Sequence, residues 1–279
     1  MQILKGISEL KKLNSSILGI GIGVAGQIQL NTGVVLFAPN LQWHHIPLKA
    51  NVERMAHLPT NVVNDVRAIT YGEWLYGAGK GHSDILCIYI GTGIGSGVVS
   101  GERLLSGSNN SFGEVGHMTI DFNGPICTCG KKGCFEAIVG GWGIAARAKE
   151  AIEANGRGSA SQRLLQLAGD NIEALSAEIV VKAYHEKDPM AEQLIQGVQK
   201  GLVSGLASLV NLYNPARLIL GGGVIDGMPE IIPILDKKIK ETSLKASTEL
   251  LEVTKAQLGK DAGVVGSAAA IFNFLERVT

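Results

Sequence analysis

The sequence has 279 residues, 46% of them apolar and 18% charged, a composition that can bury a core and is unlike that of disordered chains. Lys plus Arg number 25 and Asp plus Glu also number 25, so the formal net charge is zero. A neutral chain without a basic run lacks the positive surface that binds nucleic acid or an anionic membrane. We therefore expect neither as a partner.

Glycine is the compositional outlier, with 37 residues, or about 13% against a usual value of roughly 7%. The glycines follow no Gly-X-Y period, which excludes collagen, and they gather in short clusters typical of tight turns or close backbone approach. Cys127, Cys129 and Cys134 lie within eight residues, whereas Cys87 lies in an apolar run. This spacing favours a metal cluster in a reducing compartment over a disulfide framework.

The N-terminus has a superficial likeness to a signal peptide, because lysines precede the apolar stretch from Ile17 to Gly26. Glu9 interrupts the basic region, however, and glycines alternate through the apolar stretch. No window reaches the roughly 20 unbroken apolar residues of a spanning helix. The sequence therefore predicts a cytoplasmic protein.

Hydrophobic periodicity predicts helices and strands that alternate along the chain. In chain order, the predicted elements are a helix at 2–13, a strand at 17–24, a strand pair at 28–30 and 34–37, a strand at 61–63, a helix at 66–76, a strand at 85–90, a helix from Pro189 to about Tyr213, a strand at 217–220 and a last helix from about Val264 to Leu275. This alternation predicts an α/β fold. The glycine tract 77–81 is the best candidate for a domain boundary.

The long helix after Asp188-Pro189 carries Gly197, Gly201 and Gly205 on one face. Asp188 and Pro189 are typical of an N-cap and a first helical position. In a soluble protein, a stripe of glycines predicts that a second helix packs closely against the first.

The strongest motif is His117 followed by Cys127, Cys129 and Cys134, with Gly130 and Gly133 inside the loop. Thiolates and one imidazole are the ligands that zinc prefers, and the glycines permit the tight loop that brings them together. The alternative is a chance cluster of small buried cysteines. We predict a structural zinc site.

The segment from Gly91 to Gly97 contains four glycines and Thr92 between two strand-like stretches, which predicts a glycine-rich hairpin. A dinucleotide fingerprint would need a helix after the glycines, and the lysine of a P-loop is absent. Backbone amides and Thr92 can nevertheless hold phosphate oxygens. A simple turn is the alternative.

Two further groups of polar residues are candidates for a binding site. Asn64 and Asp65 follow a short strand, at the end where α/β sheets bind ligands, although an aspartate there is also a common helix N-cap. Glu114, His117 and Glu136 combine two carboxylates and an imidazole near the cysteine run, and can hydrogen-bond several hydroxyl groups. Solvated glutamates are the alternative for this second group.

Taken together, these residues resemble the ROK family, which joins bacterial sugar kinases with sugar-responsive repressors. The resemblance extends from about Ile17 to Phe274, and the cysteine run with its trailing glutamate is its most specific part. The matching segments, in family order, are Asn64-Asp65, the Gly91–Gly97 turn, Gly-Glu-Val-Gly-His-Met at 113–118, Cys-Thr-Cys-Gly-Lys-Lys-Gly-Cys-Phe-Glu at 127–136 and Leu-Ile-Leu-Gly-Gly-Gly at 218–223.

The resemblance implies a two-domain, actin-like ATPase fold, related to ribonuclease H, and glucokinase-like activity on a hexose or N-acetylhexosamine. The domains would be a partial N-terminal α/β domain at 1–82, completed by a C-terminal helix at 262–279, and a larger C-terminal α/β domain with the zinc knuckle at 83–261. A homodimer is expected, with ATP and Mg²⁺ as cosubstrate and cofactor.

The resemblance also implies a role for each candidate residue. Asp65 corresponds to the general base that takes the proton from the attacking sugar hydroxyl. The implied sugar ligands are Asn40, Asn64, Asp65, Glu114, His117 and Glu136, with His117 binding zinc through its other nitrogen. The implied phosphate and nucleotide residues are Gly91, Thr92, Gly93, Gly95, Gly221, Gly222 and Gly223.

The sequence also departs from the family pattern. Family kinases begin with a strand and an Asp-x-Gly-Gly-Thr loop that grips nucleotide phosphates, and no such loop precedes Ile17. Ala25 stands where a turn usually has proline, and Val66-Arg67 stands where the family commonly has Ala-Asn, so Arg67 can alter phosphate or sugar contacts. Three interpretations follow: a truncated kinase, a non-catalytic sugar-binding or regulatory protein, or a shortened kinase. We favour a kinase whose natural or ancestral form is longer.

Overall fold

The computed structural model describes residues 2–13, 16–155 and 161–278. Its α-helices are α1 (Gln2–Leu13), α2 (Leu48–Ala56), α3 (Asp65–Tyr76), α4 (Phe135–Val139), α5 (Gly141–Asn155), α6 (Gln162–Leu167), α7 (Ala177–His185), α8 (Pro189–Tyr213), α9 (Gly223–Gly227), α10 (Ile231–Thr242), α11 (Lys245–Thr248) and α12 (Ala262–Val278). Its strands are β1 (Ile20–Val24), β2 (Gln27–Ile28), β3 (Val35–Ala38), β4 (Trp43–Ile46), β5 (Thr60–Asn64), β6 (Ile85–Ile90), β7 (Ile94–Ser100), β8 (Arg103–Leu104), β9 (Arg217–Gly221) and β10 (Glu252–Lys255).

The described chain forms two compact units. Unit 1 contains the described residues of Met1–Ser83, Gly97–Gly113 and Gln257–Thr279, and unit 2 contains those of Asp84–Ser96 and Glu114–Ala256. The sequence-based division into residues 1–82 with 262–279 and residues 83–261 stays a prediction about domains, since compactness alone does not show that either part folds independently.

In unit 1, β1 and β5 form a parallel pair whose carboxyl ends meet, with Val24 opposite Asn64. The antiparallel strands β2, β3 and β4 form a second, small sheet. Apolar side chains of both sheets share one core with α2, including Ile28, Val35 and Val52, which are almost fully buried. Val24 at the end of β1 and Val62 in β5 belong to the same core, which therefore anchors the carboxyl ends of both strands.

Helix α12 packs against α3 and β1 at unusually close range. A Cβ atom built on Gly266 would lie 1.7 Å from the carbonyl oxygen of Ala68, and one on Gly21 would lie 1.9 Å from that of Ser267. Only glycine permits backbones to approach this closely. The predicted last helix is thus confirmed, and its glycines determine how near it lies to α3.

A fully buried carboxylate ties the glycine tract after α3 to the segment before α12. Glu73 accepts backbone N–H bonds from Ala78 at 2.8 Å, Gln257 at 3.1 Å and Leu258 at 2.8 Å. A buried carboxylate is tolerated where such bonds replace its water shell. Glu73 therefore holds two chain segments that are far apart in sequence.

In unit 2, β6 lies beside β9 and β9 beside β10, all parallel, with Ile85 and Glu252 both opposite Arg217. Five of the six residues of β6 are buried, as expected for a parallel strand covered on both faces. Residues 91–93 form the turn between the neighbouring strands β6 and β7, and the remaining glycines of the Gly91–Gly97 segment lie in β7, so the predicted glycine-rich hairpin is confirmed.

The glycine stripe of α8 packs on α4, which confirms the predicted close helix packing. A Cβ atom on Gly205 would lie 2.7 Å from the ring of Phe135, and one on Gly201 would lie 2.7 Å from Val139. Helix α4 immediately follows Cys134. The long helix therefore supports the segment that carries the cysteine run.

The other predicted elements are observed with small shifts at their ends. Asp188 caps α8 by accepting the N–H of Ala191 at 2.8 Å, and Asn214 ends that helix with φ 45°. Strand β4 was not predicted, because its sequence, Trp-His-His-Ile, lacks the alternation of apolar and polar residues typical of a strand. Among the described residues, none of the helices combines the length and the hydropathy that a membrane crossing requires.

We predict that Gly266→Ala lowers the free energy of unfolding by about 1–3 kcal/mol, because its methyl group would overlap Ala68 and force α12 away from α3. Gly263→Ala is the matched control in the same helix: its Cβ would meet only Ile69, at 3.9 Å. The control should be neutral or more stable by up to about 1 kcal/mol, the helix preference of alanine over glycine. Urea unfolding of both variants measures this difference, and equal stabilities would contradict the close contact.

Candidate functional site

The cysteine knuckle, residues 117–136, is a tight loop held by short backbone bonds. The N–H of Cys127 bonds to the carbonyl of Lys131 at 2.7 Å, and that of Gly130 bonds to the carbonyl of Cys127 at 2.9 Å. Gly133 has φ 68°, and a Cβ atom there would lie 1.5 Å from the carbonyl oxygen of Asp121. The loop therefore closes only with glycine at this position.

The knuckle brings the four predicted metal ligands together. One ligand atom from each of His117, Cys127, Cys129 and Cys134 lies within 4.8 Å of all the others. Nδ1 of His117 is 3.7 Å from Sγ of Cys127, and the Sγ atoms of Cys129 and Cys134 are 3.6 Å apart. A tetrahedral zinc with Zn–S bonds of about 2.3 Å needs sulfur atoms about 3.8 Å apart. The donor set and the spacing thus fit zinc.

The thiols of the knuckle differ in environment. Burial, with added contributions from the neighbouring thiols, raises the pKa of Cys134 to about 12. A backbone hydrogen bond from Lys131 lowers the pKa of the exposed Cys129. Three thiolates at these distances repel one another unless a cation lies among them, which is the arrangement that a zinc ion stabilises.

Glu136 joins the knuckle to the glycine-rich turn. Its Oε2 atom accepts the backbone N–H of Ile94 at 2.7 Å, and its Oε1 atom accepts the indole N–H of Trp142 at 3.0 Å. Gly93 leaves room for this contact, because a Cβ atom there would lie 2.3 Å from Oε2. Each carboxylate oxygen has a second lone pair and can accept a further hydrogen bond.

A cavity of about 690 Å³ in unit 2 is lined by residues of both predicted phosphate segments, Gly91 and Thr92 on one side and Gly223 on the other. The backbone of α5 closes the turn, since Gly141 and Trp142 donate to the carbonyls of Gly91 and Thr92 at 2.9 and 3.0 Å. The cavity has the size of a small-molecule site.

The glycines of the second segment have different environments. Gly222 has φ 90°, and a Cβ atom there would lie 2.5 Å from the carbonyl oxygen of Ile90; one on Gly221 would lie 2.6 Å from the ring of Tyr89. A Cβ atom on Gly223 or Gly91 would meet nothing within 4 Å. Gly221 and Gly222 therefore serve the packing against β6, whereas Gly223 and Gly91 leave open space.

In unit 1, Asn64 and Asp65 begin α3 at the carboxyl end of β5. The side chain of Asn64 caps the helix by accepting the N–H of Arg67 at 3.2 Å, and it donates to the carbonyl of Gly26 at 3.2 Å. Asp65 lines a cavity of about 650 Å³ with Lys260 and Ser267. Burial raises the pKa of Asp65, opposed by backbone hydrogen bonds at Val66 and Asp65. Asn64 is therefore the N-cap of α3, and Asp65 lines a cavity instead.

Two of the predicted sugar ligands are exposed. Asn40 lies in a single turn of 3₁₀-helix between β3 and β4, and Glu114 precedes a similar turn that contains His117. Gly95 follows Ile94 in β7 and does not line the 690 Å³ cavity. The structure thus groups the four metal ligands, brings Gly91, Thr92 and Gly223 to one cavity, and leaves Asn40 and Glu114 at the surface of their units.

Several cavity residues escaped the sequence analysis. Trp142, Ser176 and Val181 line the 690 Å³ cavity, and Lys260 lines the one beside Asp65. Ser176 had a local signal, because it caps α7 by accepting the N–H of Ile179 at 3.3 Å. The others had none, since an apolar or basic residue in a helix or turn carries no ligand-specific pattern.

We predict about one zinc ion per chain and its near-complete loss in Cys129→Ser, because a hydroxyl group does not replace a thiolate as a zinc ligand. Cys129 is exposed, so loss of packing does not explain a fall in the unfolding temperature of this variant. Elemental analysis and thermal unfolding, with and without a chelator, measure both effects.

Cys87→Ala is the matched control for the zinc prediction. Cys87 is buried in β6 and does not belong to the grouped ligands, so its truncation should lower stability and leave the zinc content unchanged. A folded, metal-free protein whose unfolding temperature a chelator does not change would contradict the zinc site.

The comparisons with known proteins agree on one family. The chain is 33% identical over 258 residues to a glucokinase of Streptomyces coelicolor, covering 92% of this chain and 81% of that protein, and 30% identical over 274 residues to the xylose repressor of Bacillus subtilis, covering 98% and 66%. The crystal structure of a ROK family glucokinase from Streptomyces griseus with glucose and AMPPNP superposes with a TM-score of 0.81 at 32% identity, over 96% of this chain and 86% of that chain. The ROK family model matches residues 2–273. The chain has the α/β, actin-like ATPase fold of these sugar kinases and belongs to the ROK family.

Proposed function

We propose that this chain is a sugar kinase that phosphorylates a hydroxyl group of a hexose or N-acetylhexosamine, with ATP and Mg²⁺. The observation that carries the proposal is Asp65, a half-buried carboxylate at the carboxyl end of β5 that lines a cavity and is not used to cap α3. Similarity to glucokinases over 92% of the chain supports the same reaction class. A homodimer stays a prediction from the family.

Asp65 has the properties of a general base for a sugar hydroxyl. Burial raises its pKa, and a carboxylate with a raised pKa accepts a proton more readily than an ordinary aspartate does. Asn64 fixes the first turn of α3 through its bond to the Arg67 N–H, and so fixes the backbone that carries Asp65. The neighbouring side chain therefore positions the base without competing for its proton.

The sugar ligands are assigned as the family resemblance implies, and the knuckle supports part of this assignment. With Nδ1 of His117 directed at the thiols, Nε2 is the ring nitrogen left for a sugar hydroxyl. Bound zinc would fix this ring and, through Cys134, the start of α4 with Glu136. We include Asn40, Asn64, Glu114, His117 and Glu136 in the sugar site.

For the nucleotide, we propose the 690 Å³ cavity of unit 2. Leu175, Val181 and Val224 give it apolar walls that suit a flat base, and the Gly91-Thr92 turn offers a hydroxyl and backbone close by. Gly223 starts α9 without a side chain at the cavity. Mg²⁺ would neutralise phosphate charge once ATP is bound. Assays of a sugar panel with ATP and, separately, with polyphosphate identify the acceptor and the phosphate donor.

Phosphoryl transfer needs in-line positioning, charge neutralisation and a base for the attacking hydroxyl, and little covalent work from the protein. Asp65 would take the proton as the hydroxyl oxygen attacks the γ-phosphorus, and ADP would leave with the electron pair of the broken P–O bond. The Glu136–Ile94 bond would hold the glycine-rich turn in place during transfer.

We predict that Asp65→Asn lowers kcat by roughly 10²–10⁴-fold, the usual contribution of a general base, while the fold persists. Only the ionised form of Asp65 can accept the proton, so kcat/KM should fall as the pH drops through its pKa. Because burial raises that pKa, the acidic limb should lie above the ordinary aspartate value of about 3.9. A coupled ADP-release assay with a panel of hexoses and N-acetylhexosamines measures both.

Asp188→Asn is the control for Asp65→Asn. Asp188 also stands at a helix start, and asparagine is an equally good N-cap, so activity should be retained. Full activity of Asp65→Asn would exclude Asp65 as the base.

We predict that Gly223→Ala raises the KM for ATP by roughly 3–10-fold, about 1 kcal/mol, with little change in stability, because its methyl group would enter the cavity without meeting protein atoms. Gly222→Ala should instead destabilise the protein, since it combines φ 90° with a clash against Ile90. Kinetics and urea unfolding separate the two effects. An unchanged KM for ATP in Gly223→Ala would exclude this cavity as the nucleotide site.

A second candidate function is a non-catalytic, sugar-binding regulator. It is favoured by the similarity to the xylose repressor over 98% of this chain. A regulator would give a saturable sugar signal by calorimetry and no ADP release with any sugar, and Asp65→Asn would make no difference to turnover. Sugar-dependent ADP release that the variant loses would exclude it.

A further inference from the structure

Unit 1 contains a second cavity, of about 460 Å³, which we call the Arg67 cavity. Arg67, Lys49 and Asn110 line it, together with Glu102, Arg103 and Phe274. Asp65 and the candidate sugar ligands Asn40 and Asn64 are not among its lining residues. The proposed kinase chemistry therefore makes no use of this cavity.

Arg67 carries a buried charge that no carboxylate of the described chain compensates. Only 8% of its surface is exposed, and no described Asp or Glu lies within ion-pair distance. One guanidinium nitrogen, Nη1, donates to Oδ1 of Asn110, while Nε is buried and has no hydrogen-bond partner among the described residues. A guanidinium buried with a neutral partner alone is costly, and an anion would remove that cost.

Asn110 is oriented for this role by its own backbone contact. Its Nδ2 donates to the carbonyl of Ile28 at 2.8 Å, which leaves Oδ1 as the atom directed at Arg67. The pair therefore holds the guanidinium in a fixed place at the cavity wall. Such a fixed, planar donor group is the residue type that binds oxyanions most selectively.

The cavity wall has an excess of positive charge. Lys49, Arg67 and Arg103 are cationic and Glu102 is the one anionic residue among the lining side chains. The ammonium group of Lys49 lies 4.5 Å from the centre of the Phe274 ring, which holds it at the wall. Three cations against one anion match a ligand with about two negative charges, the charge of a phosphate monoester near neutral pH.

We propose that the Arg67 cavity binds a small phosphate-bearing anion, either inorganic phosphate or the phosphate group of a metabolite ester, with Arg67 as the main ligand and Lys49 as a second one. The site is distinct from the sugar and nucleotide sites proposed above, and the inference does not depend on kinase activity. It also gives a physical reason for arginine, rather than a neutral side chain, at the third residue of α3.

The experiment is a calorimetric titration of the full chain with inorganic phosphate and, separately, with a hexose 6-phosphate. The parent protein should bind one phosphate per chain in a saturable way. Arg67→Met should bind phosphate at least roughly tenfold more weakly, because the charge-assisted hydrogen bonds of the guanidinium are lost. Arg54→Met, at an exposed arginine of α2 in the same unit, should bind phosphate as the parent does. Binding of the ester that is tighter than that of phosphate and is weakened in Arg67→Met would identify a metabolite as the ligand of the cavity. Equal or weaker binding of the ester would identify the free ion.

Thermal unfolding provides a second measurement of phosphate binding. Phosphate should raise the unfolding temperature of the parent and of Arg54→Met, but not of Arg67→Met, since a ligand stabilises only a state that binds it. Should Arg67→Met fail to fold, Lys49→Met replaces it, and its phosphate affinity should fall by roughly threefold or more. No saturable binding to the parent, or equal binding to the parent and to the folded variant, would overturn the proposal.

Discussion

Close backbone approach at glycine is the constraint on which both units depend. In unit 1, Gly266 brings α12 against the Ala68 carbonyl of α3, and in unit 2 the glycine stripe of α8 receives Phe135 of α4. A packed interior leaves no free volume to absorb even one added methyl group. The high glycine content is therefore a packing device as well as a source of turns, and the candidate site residues on α3 and α4 take their positions from it.

The second organising interaction is the carboxylate of Glu136. It receives an N–H from the glycine-rich turn and another from Trp142, so one side chain connects the cysteine knuckle, the turn and the start of α5. Charge-assisted hydrogen bonds of this kind are stronger than neutral ones and gain strength where water is excluded. The family resemblance implies that Glu136 is a sugar ligand. Its two hydrogen bonds leave lone pairs on both carboxylate oxygens for that role.

Features of the fold and the site could be predicted from the sequence where their signal lies within a short stretch of the chain. The α/β class, the boundaries of α8, the hairpin at Gly91–Gly97 and the cysteine knuckle follow from periodicity, capping residues and motif spacing within about 20 residues. The contacts of Lys260 and Arg67 could not be predicted, because each depends on a chain segment remote in sequence. The Arg67–Asn110 pair joins residues 43 positions apart, and Glu73 reaches Leu258 across 185.

The discontinuity of unit 1 has a consequence for synthesis on the ribosome. Helix α3 ends at Tyr76, whereas α12, which packs on it and on β1, begins only at Ala262. At about 5–20 residues per second, the ribosome needs roughly 10–40 s to make the residues between them. Unit 2 lies within that interval and can become compact first. During this time the face of α3 and β1 that α12 later covers stays exposed and accessible to chaperones.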